Sequence, residues 1–125
     1  TDADFEATLA VVAESRFDQA FMFLFSPRPG TPAGAMVPVP PEVAQARFER
    51  LVELQNRISQ ERNHEMVGRT VEVLAEGASR KDPGTATTRT RTGKVVHVGG
   101  EFRPGTFLDV ELTRAGRHHL VGRPL

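Results

Sequence analysis

Between Ser26 and Pro41 the chain holds six prolines, at positions 27, 29, 32, 38, 40 and 41. Each fixes its own φ and lacks a backbone donor, so this stretch is neither regular helix nor central strand. It is a stiff loop that divides the chain, and the hydrophobic pattern must be read separately on either side of it. Upstream, Thr1 followed by Asp4 has the form of a capping box with a shorter acid, and Phe5, Leu9 and Val12 recur at helical spacing up to about Ser15. "FMFLF", residues 21 to 25, is apolar on both faces, as expected of a strand buried between layers of a parallel sheet. One helix and one strand cannot cover both faces of such a strand, so this half reads as part of a larger α/β unit.

Downstream of the loop, Pro41 stands in a favourable first-turn position. Phe48, Leu51, Leu54 and Ile58 then line one face of a long helix, with Glu49, Glu53, Arg57 and Glu61 on a more polar one. At Gly68 the period changes from helical to alternating. "RTVEVLAEG", "TATTRTRTG", "KVVHVGG", "GTFLDVELT" and "HHLVGRPL" are short β-type runs parted by glycine, proline and aspartate turns. Five such strands predict a small closed, or nearly closed, antiparallel barrel of the OB type, since closure disposes of sheet edges. The fold class is α+β, with one domain over residues 1 to 66 and the barrel over 67 to 125.

Net charge is zero over 125 residues, but it is unevenly placed. Residues 1 to 66 carry six Arg and no Lys against ten acids, a balance of −4, while residues 67 to 125 carry ten Lys and Arg against six acids, a balance of +4. The barrel is therefore the part suited to a polyanion. No apolar run approaches the roughly 20 residues of a membrane helix, and "TDADFEATLA" lacks the basic start and apolar centre of a secretory signal. A cytoplasmic protein without a membrane partner is expected. The chain has no cysteine, which excludes disulfides, thiolate metal ligation and a cysteine nucleophile within it.

Alternation in "TATTRTRTGK" puts Arg89 and Arg91 on one face of a strand and Thr88, Thr90 and Thr92 on the other. Paired guanidinium forks match phosphate oxygens and stack on bases, which makes RNA the expected ligand; the same comb also serves as a charged, solvent-facing edge strand. Lys94 continues the segment, and Arg80 and Lys81 in "ASRKDPG" lie where a hairpin turn extends the basic surface toward backbone contacts. His97 is expected on the exposed face between buried Val96 and Val98, with His118 and His119 at a turn; their spacing does not make a metal site. No Walker loop, dinucleotide fingerprint, zinc-protease helix or nucleophile elbow is present, and no catalytic residue is assigned.

"RFDQAFMFLFSPRPGTPA", "RFERLVELQNRISQERNHEMVGRTVEVLAEG", "SRKDPG" and "RTRTGKVVHV" together resemble the C-terminal part of the MiaB family of radical-SAM tRNA methylthiotransferases. The resemblance implies that residues 1 to 66 are the last elements of a TIM-like radical-SAM barrel and residues 67 to 125 a tRNA-binding TRAM barrel. It implies a parent that uses two 4Fe-4S clusters and S-adenosylmethionine to add a methylthio group to a prenylated adenosine beside the anticodon. It places the proline-rich loop at the mouth of that larger barrel, where Phe25, Ser26, Arg28, Gly30 and Thr31 contact S-adenosylmethionine or the nucleoside, or where the prolines only route the chain onward. All cysteine ligands of the clusters are missing here, so no cofactor is assigned to this chain and it is expected to be inactive alone. Its expected partners are tRNA, bound through Arg80, Lys81, Arg89, Arg91 and Lys94, and the remaining portions of the parent enzyme. The alternative is an interaction module that docks on the catalytic domain with little RNA affinity of its own.

Overall fold

A computed structural model describes all 125 residues. They fall into two compact units, Thr1–Ile58 and Ser59–Leu125.

The first unit is helical. Helix α1, Asp2–Ser15, opens on a complete capping box: the Asp4 amide donates to the Thr1 hydroxyl, and the Asp4 carboxylate takes the Thr1 backbone nitrogen in return. Phe5, Leu9 and Val12, the predicted apolar positions, are half-buried. Helix α2, Pro41–Met66, begins at the predicted proline and keeps Glu49, Glu53, Arg57 and Glu61 exposed. Arg47 and Arg50 of α2 reach Asp2 and Glu6 of α1 at 2.7 and 2.9 Å, and both guanidinium groups stand over the Phe5 ring. Such exposed pairs contribute about 0–1 kcal/mol each, so they orient the two helices more than they stabilise them.

Residues 21 to 25 form no strand. Phe21, Phe23 and Phe25 are 81, 86 and 64% exposed, and the segment has no regular secondary structure. This corrects the sequence-based expectation, and the cause is backbone pairing. A strand exists only beside another strand, and all five strands of this chain are already paired on both sides in a closed barrel. The proline-rich loop is nevertheless ordered from within. The Thr31 hydroxyl donates to the Arg28 carbonyl at 2.7 Å and accepts from the Gly34 amide at 3.1 Å, after a turn in which Gly30 takes φ +81°. A single 3-10 turn, Ala33–Ala35, completes it.

The barrel consists of β1 (Thr70–Ala78), β2 (Thr85–Thr90), β3 (Val95–Gly99), β4 (Phe107–Ala115) and β5 (Leu120–Pro124). It closes in the order β1-β2-β3-β5-β4, with β4 returning to β1. Four of the five pairs are antiparallel, but β3 and β5 run parallel, joining Val96 to Leu120 and Val98 to Gly122. An entirely antiparallel barrel is thereby corrected. Strand directions cannot alternate all the way round a ring with an odd number of members, so one seam must be parallel. Val73, Val96, Val98, Val110, Leu112 and Leu120 fill the interior. Thr88 joins them at 0% exposure, its hydroxyl donating to the Val96 carbonyl at 2.9 Å.

The final turns of α2 belong to the barrel unit. Buried Asn63 donates to the Gly116 carbonyl at 2.9 Å and accepts from the Lys94 ammonium at 2.7 Å. Gly68, at φ +90°, then turns the chain into β1, its amide donating to the Leu112 carbonyl at 2.7 Å.

Candidate nucleic-acid interface

Outward-pointing residues of β1, β2 and β3, together with the β1–β2 hairpin and the β4–β5 turn, enclose a cleft of about 1040 Å³. Its basic side chains are Arg80 and Lys81 from the hairpin, Arg89 from β2 and Arg114 from β4; the carboxylates along it are Glu76 and Asp82. Asp82 is engaged in shaping the hairpin, accepting from the Gly84 amide at 3.0 Å and the Thr85 hydroxyl at 2.9 Å. Glu76 holds Arg89 at 2.6 Å. The cleft retains an excess of positive charge at its hairpin end, where the flexible Arg80 and Lys81 are exposed.

His97 and His119 also line this cleft, with ring centroids 5.2 Å apart. Val96 and Val98 are buried as expected, but His97 is half-buried, and its Nδ1 is enclosed with no hydrogen-bond partner. Burial holds the His97 imidazole below the ordinary histidine value, and charge on His119 and then on Lys81 pushes the same way. An anion entering here would reverse those effects by stabilising the imidazolium.

The five basic residues singled out from sequence are not all brought together. Arg80, Lys81 and Arg89 share the cleft. Arg91 lies beyond the end of β2, in the turn, and meets Glu72 of β1 at 3.3 Å; it faces a neighbouring depression with Arg89 at its boundary. Arg89 and Arg91 both line that depression, but β2 ends at Thr90, so only Arg89 lies on the strand, and each arginine is held by a different glutamate. Lys94 is drawn to Asn63.

Sequence reasoning missed Arg114 because the predicted run stopped at Thr113, whereas β4 continues to Ala115 with a bulge between Leu112 and Arg114. Strict alternation from buried Val110 and Leu112 would send residue 114 inward, and the extra residue turns it out. It also placed His97 on an outer face without joining it to the basic residues. That His97 shares an outer face with Arg89 was legible in the alternation of β2 and β3, since His97 pairs with Thr87, two residues from Arg89.

The loop residues Phe25, Ser26, Arg28, Gly30 and Thr31 are all exposed and contiguous on the first unit. The Thr31 hydroxyl is committed to its own loop, which fixes the turn presenting Arg28. For iron-sulfur clusters the donor set does not fit: the chain has no cysteine, and no three histidine or carboxylate side chains converge as metal ligands. No helix is long and apolar enough to cross a membrane.

The TRAM domain family matches residues 64–125. The whole chain is similar to proteins named tRNA-2-methylthio-N(6)-dimethylallyladenosine synthase. The protein of that name from Bifidobacterium adolescentis is 52% identical over 99% of this chain, and that from Saccharopolyspora erythraea is 50% identical over 97%. One from Tropheryma whipplei is 44% identical over 98%. This chain spans 28, 27 and 27% of those three relatives.

Proposed function

Because the chain belongs to the MiaB family of tRNA methylthiotransferases and carries a TRAM domain, we propose that it is the C-terminal part of such an enzyme and supplies its grip on tRNA. Residues 67 to 125 are the RNA-binding domain, and residues 1 to 66 close the catalytic barrel of the cytoplasmic parent. The observation that carries this reading is the cleft, where Arg80, Lys81, Arg89 and Arg114 outnumber the two carboxylates. Guanidinium and ammonium groups at such a density release counterions when they meet a phosphate backbone, so affinity falls steeply with salt.

The chemistry of the parent, methylthiolation of a prenylated adenosine beside the anticodon with two 4Fe-4S clusters and S-adenosylmethionine, lies outside this chain. What the chain adds to it is position: a tRNA held on the barrel presents its nucleoside to a site that the Phe25–Thr31 loop borders, with Arg28 as an anion contact. The chain alone performs no methylthiolation, and turnover by a cluster-reconstituted sample of it would overturn that statement.

The decisive experiment is tRNA binding by the 125-residue chain at a series of salt concentrations. Affinity is expected to fall as salt rises, and Arg80→Ala with Lys81→Ala is expected to lower the slope by up to about two. A slope near zero, unchanged in the double variant, would refute the reading. A second reading, in which the chain chiefly docks on the rest of the parent, draws on the exposed Phe21, Phe23, Phe25, Met36 and Val37 of the first unit. It prevails if a folded chain shows no measurable tRNA affinity.

A further inference from the structure

Beside the cleft, on the outer face of the barrel, cross-strand pairing lays three residues in one row. Leu74 of β1 stands opposite Phe107 of β4 on one side and opposite Arg89 of β2 on the other. Directly opposed residues point to the same face, and here the inward set is Val73, Ala75 and Val110, so Phe107, Leu74 and Arg89 all look outward. Phe107 is 66% exposed, an unusual position for a phenyl ring on a barrel whose other apolar side chains mostly fill its interior. Phe107, Leu74 and Arg89 line a depression of about 520 Å³, with Arg91, Glu72 and Glu76 at its edge. Glu72 engages one nitrogen of the 87% exposed Arg91, leaving the rest of the guanidinium fork facing outward.

We propose that this depression is a seat for a single unpaired nucleobase, which stacks on the Phe107 ring over Leu74 while Arg91 meets its phosphate. The inference rests on the RNA-binding reading above and adds a site to it. A phenyl ring offers a π-face to any base, Leu74 extends the apolar floor, and a flanking guanidinium supplies the opposite charge that a purely apolar occupant would not need. Glu72 and Glu76 keep the two arginines spread at the rim so that neither folds over the ring. Arg89 also borders the cleft, so a strand whose phosphates lie there has a path of one side chain's width to the ring. The ligand class is a single-stranded or loop nucleotide, because a base held in a duplex cannot present its face.

The chain contains no tryptophan and no tyrosine, so Phe107→Trp creates one emitter at the seat. Its fluorescence is to be titrated with a short single-stranded oligoadenylate and, separately, with inorganic polyphosphate of matched charge. Quenching by the oligonucleotide but not by polyphosphate is expected. Phe107→Ala is expected to weaken oligonucleotide binding about tenfold, with polyphosphate affinity unchanged. If the oligonucleotide binds without quenching and Phe107→Ala binds it as the unsubstituted chain does, the seat is refuted while RNA binding in the cleft stands. An equal loss of both ligands in Phe107→Ala would trace the effect to the fold and likewise overturn stacking. Absence of binding by either ligand to the unsubstituted chain would remove both readings together.

Discussion

His97 shows how one side chain couples the barrel to pH. Its imidazole is depressed from the ordinary value of 6.5, first by burial and then by His119 and Lys81. The other charges around the cleft are Arg80 and Asp82 on the hairpin, Glu76 on β1, Arg89 on β2 and Arg114 on β4. A depressed pKa means that folding favours the neutral ring, so its stabilising contribution is complete above 6.5 and is lost as pH falls through the lower folded value. Thermal melts from pH 8 to pH 5 should show the midpoint declining below about 6.5, and His97→Gln should flatten part of that decline. A bound phosphate acts in the opposite sense, raising the pKa in the complex. The tRNA affinity of the chain should therefore increase as pH falls toward the histidine range, and less so in His97→Gln; fluorescence anisotropy at fixed salt measures it. Thr88 makes a second test. Thr88→Val keeps the volume but leaves the Val96 carbonyl without its hydroxyl donor, a loss of about 1 kcal/mol readable in urea unfolding.

Secondary elements whose sequence pattern needed only themselves were legible. Helix α2 begins at its predicted proline, and each of the five alternating runs overlaps one strand, because a two-residue period with one wet face admits few other solutions. What failed was the element that depends on partners. "FMFLF" has the composition of a buried strand, yet its backbone finds no neighbour in this chain. Arg114 went unread because the predicted run stopped at Thr113, whereas β4 continues through a bulge to Ala115, an extension set by the ladder rather than by local preference. Strand β5 offers a sharp prediction at this scale. A Cβ on Gly122 would lie 3.2 Å from the Glu111 carbonyl oxygen and 3.3 Å from methyl groups of Val96 and Val110. Gly122→Val should thus force β5 away from its neighbours and destabilise the barrel by about 1–3 kcal/mol, whereas Gly99→Ala, with open space around it, should cost far less.

Across the whole molecule, charge and apolar surface are divided between the two units. The acidic half carries the exposed run Phe21, Phe23 and Phe25, and the basic half carries the cleft. Composition alone made the charge division readable; the exposure was not, since an apolar run normally signals burial. Sedimentation velocity of the 125-residue chain should show association that grows with concentration, and replacing Phe21, Phe23 and Phe25 by Ser should abolish it. The parallel seam has a separate consequence in time. Strand β5 lies between β3 and β4, so the ring has two open edges until Leu120–Pro124 has been synthesised. A nascent chain can form the β1–β2 and β2–β3 hairpins early, but the rigid curvature that holds the hairpin, β3 and β4 around one cleft arrives last. During translation, competence to hold RNA would then be acquired at a single late moment, when five residues lock two seams at once.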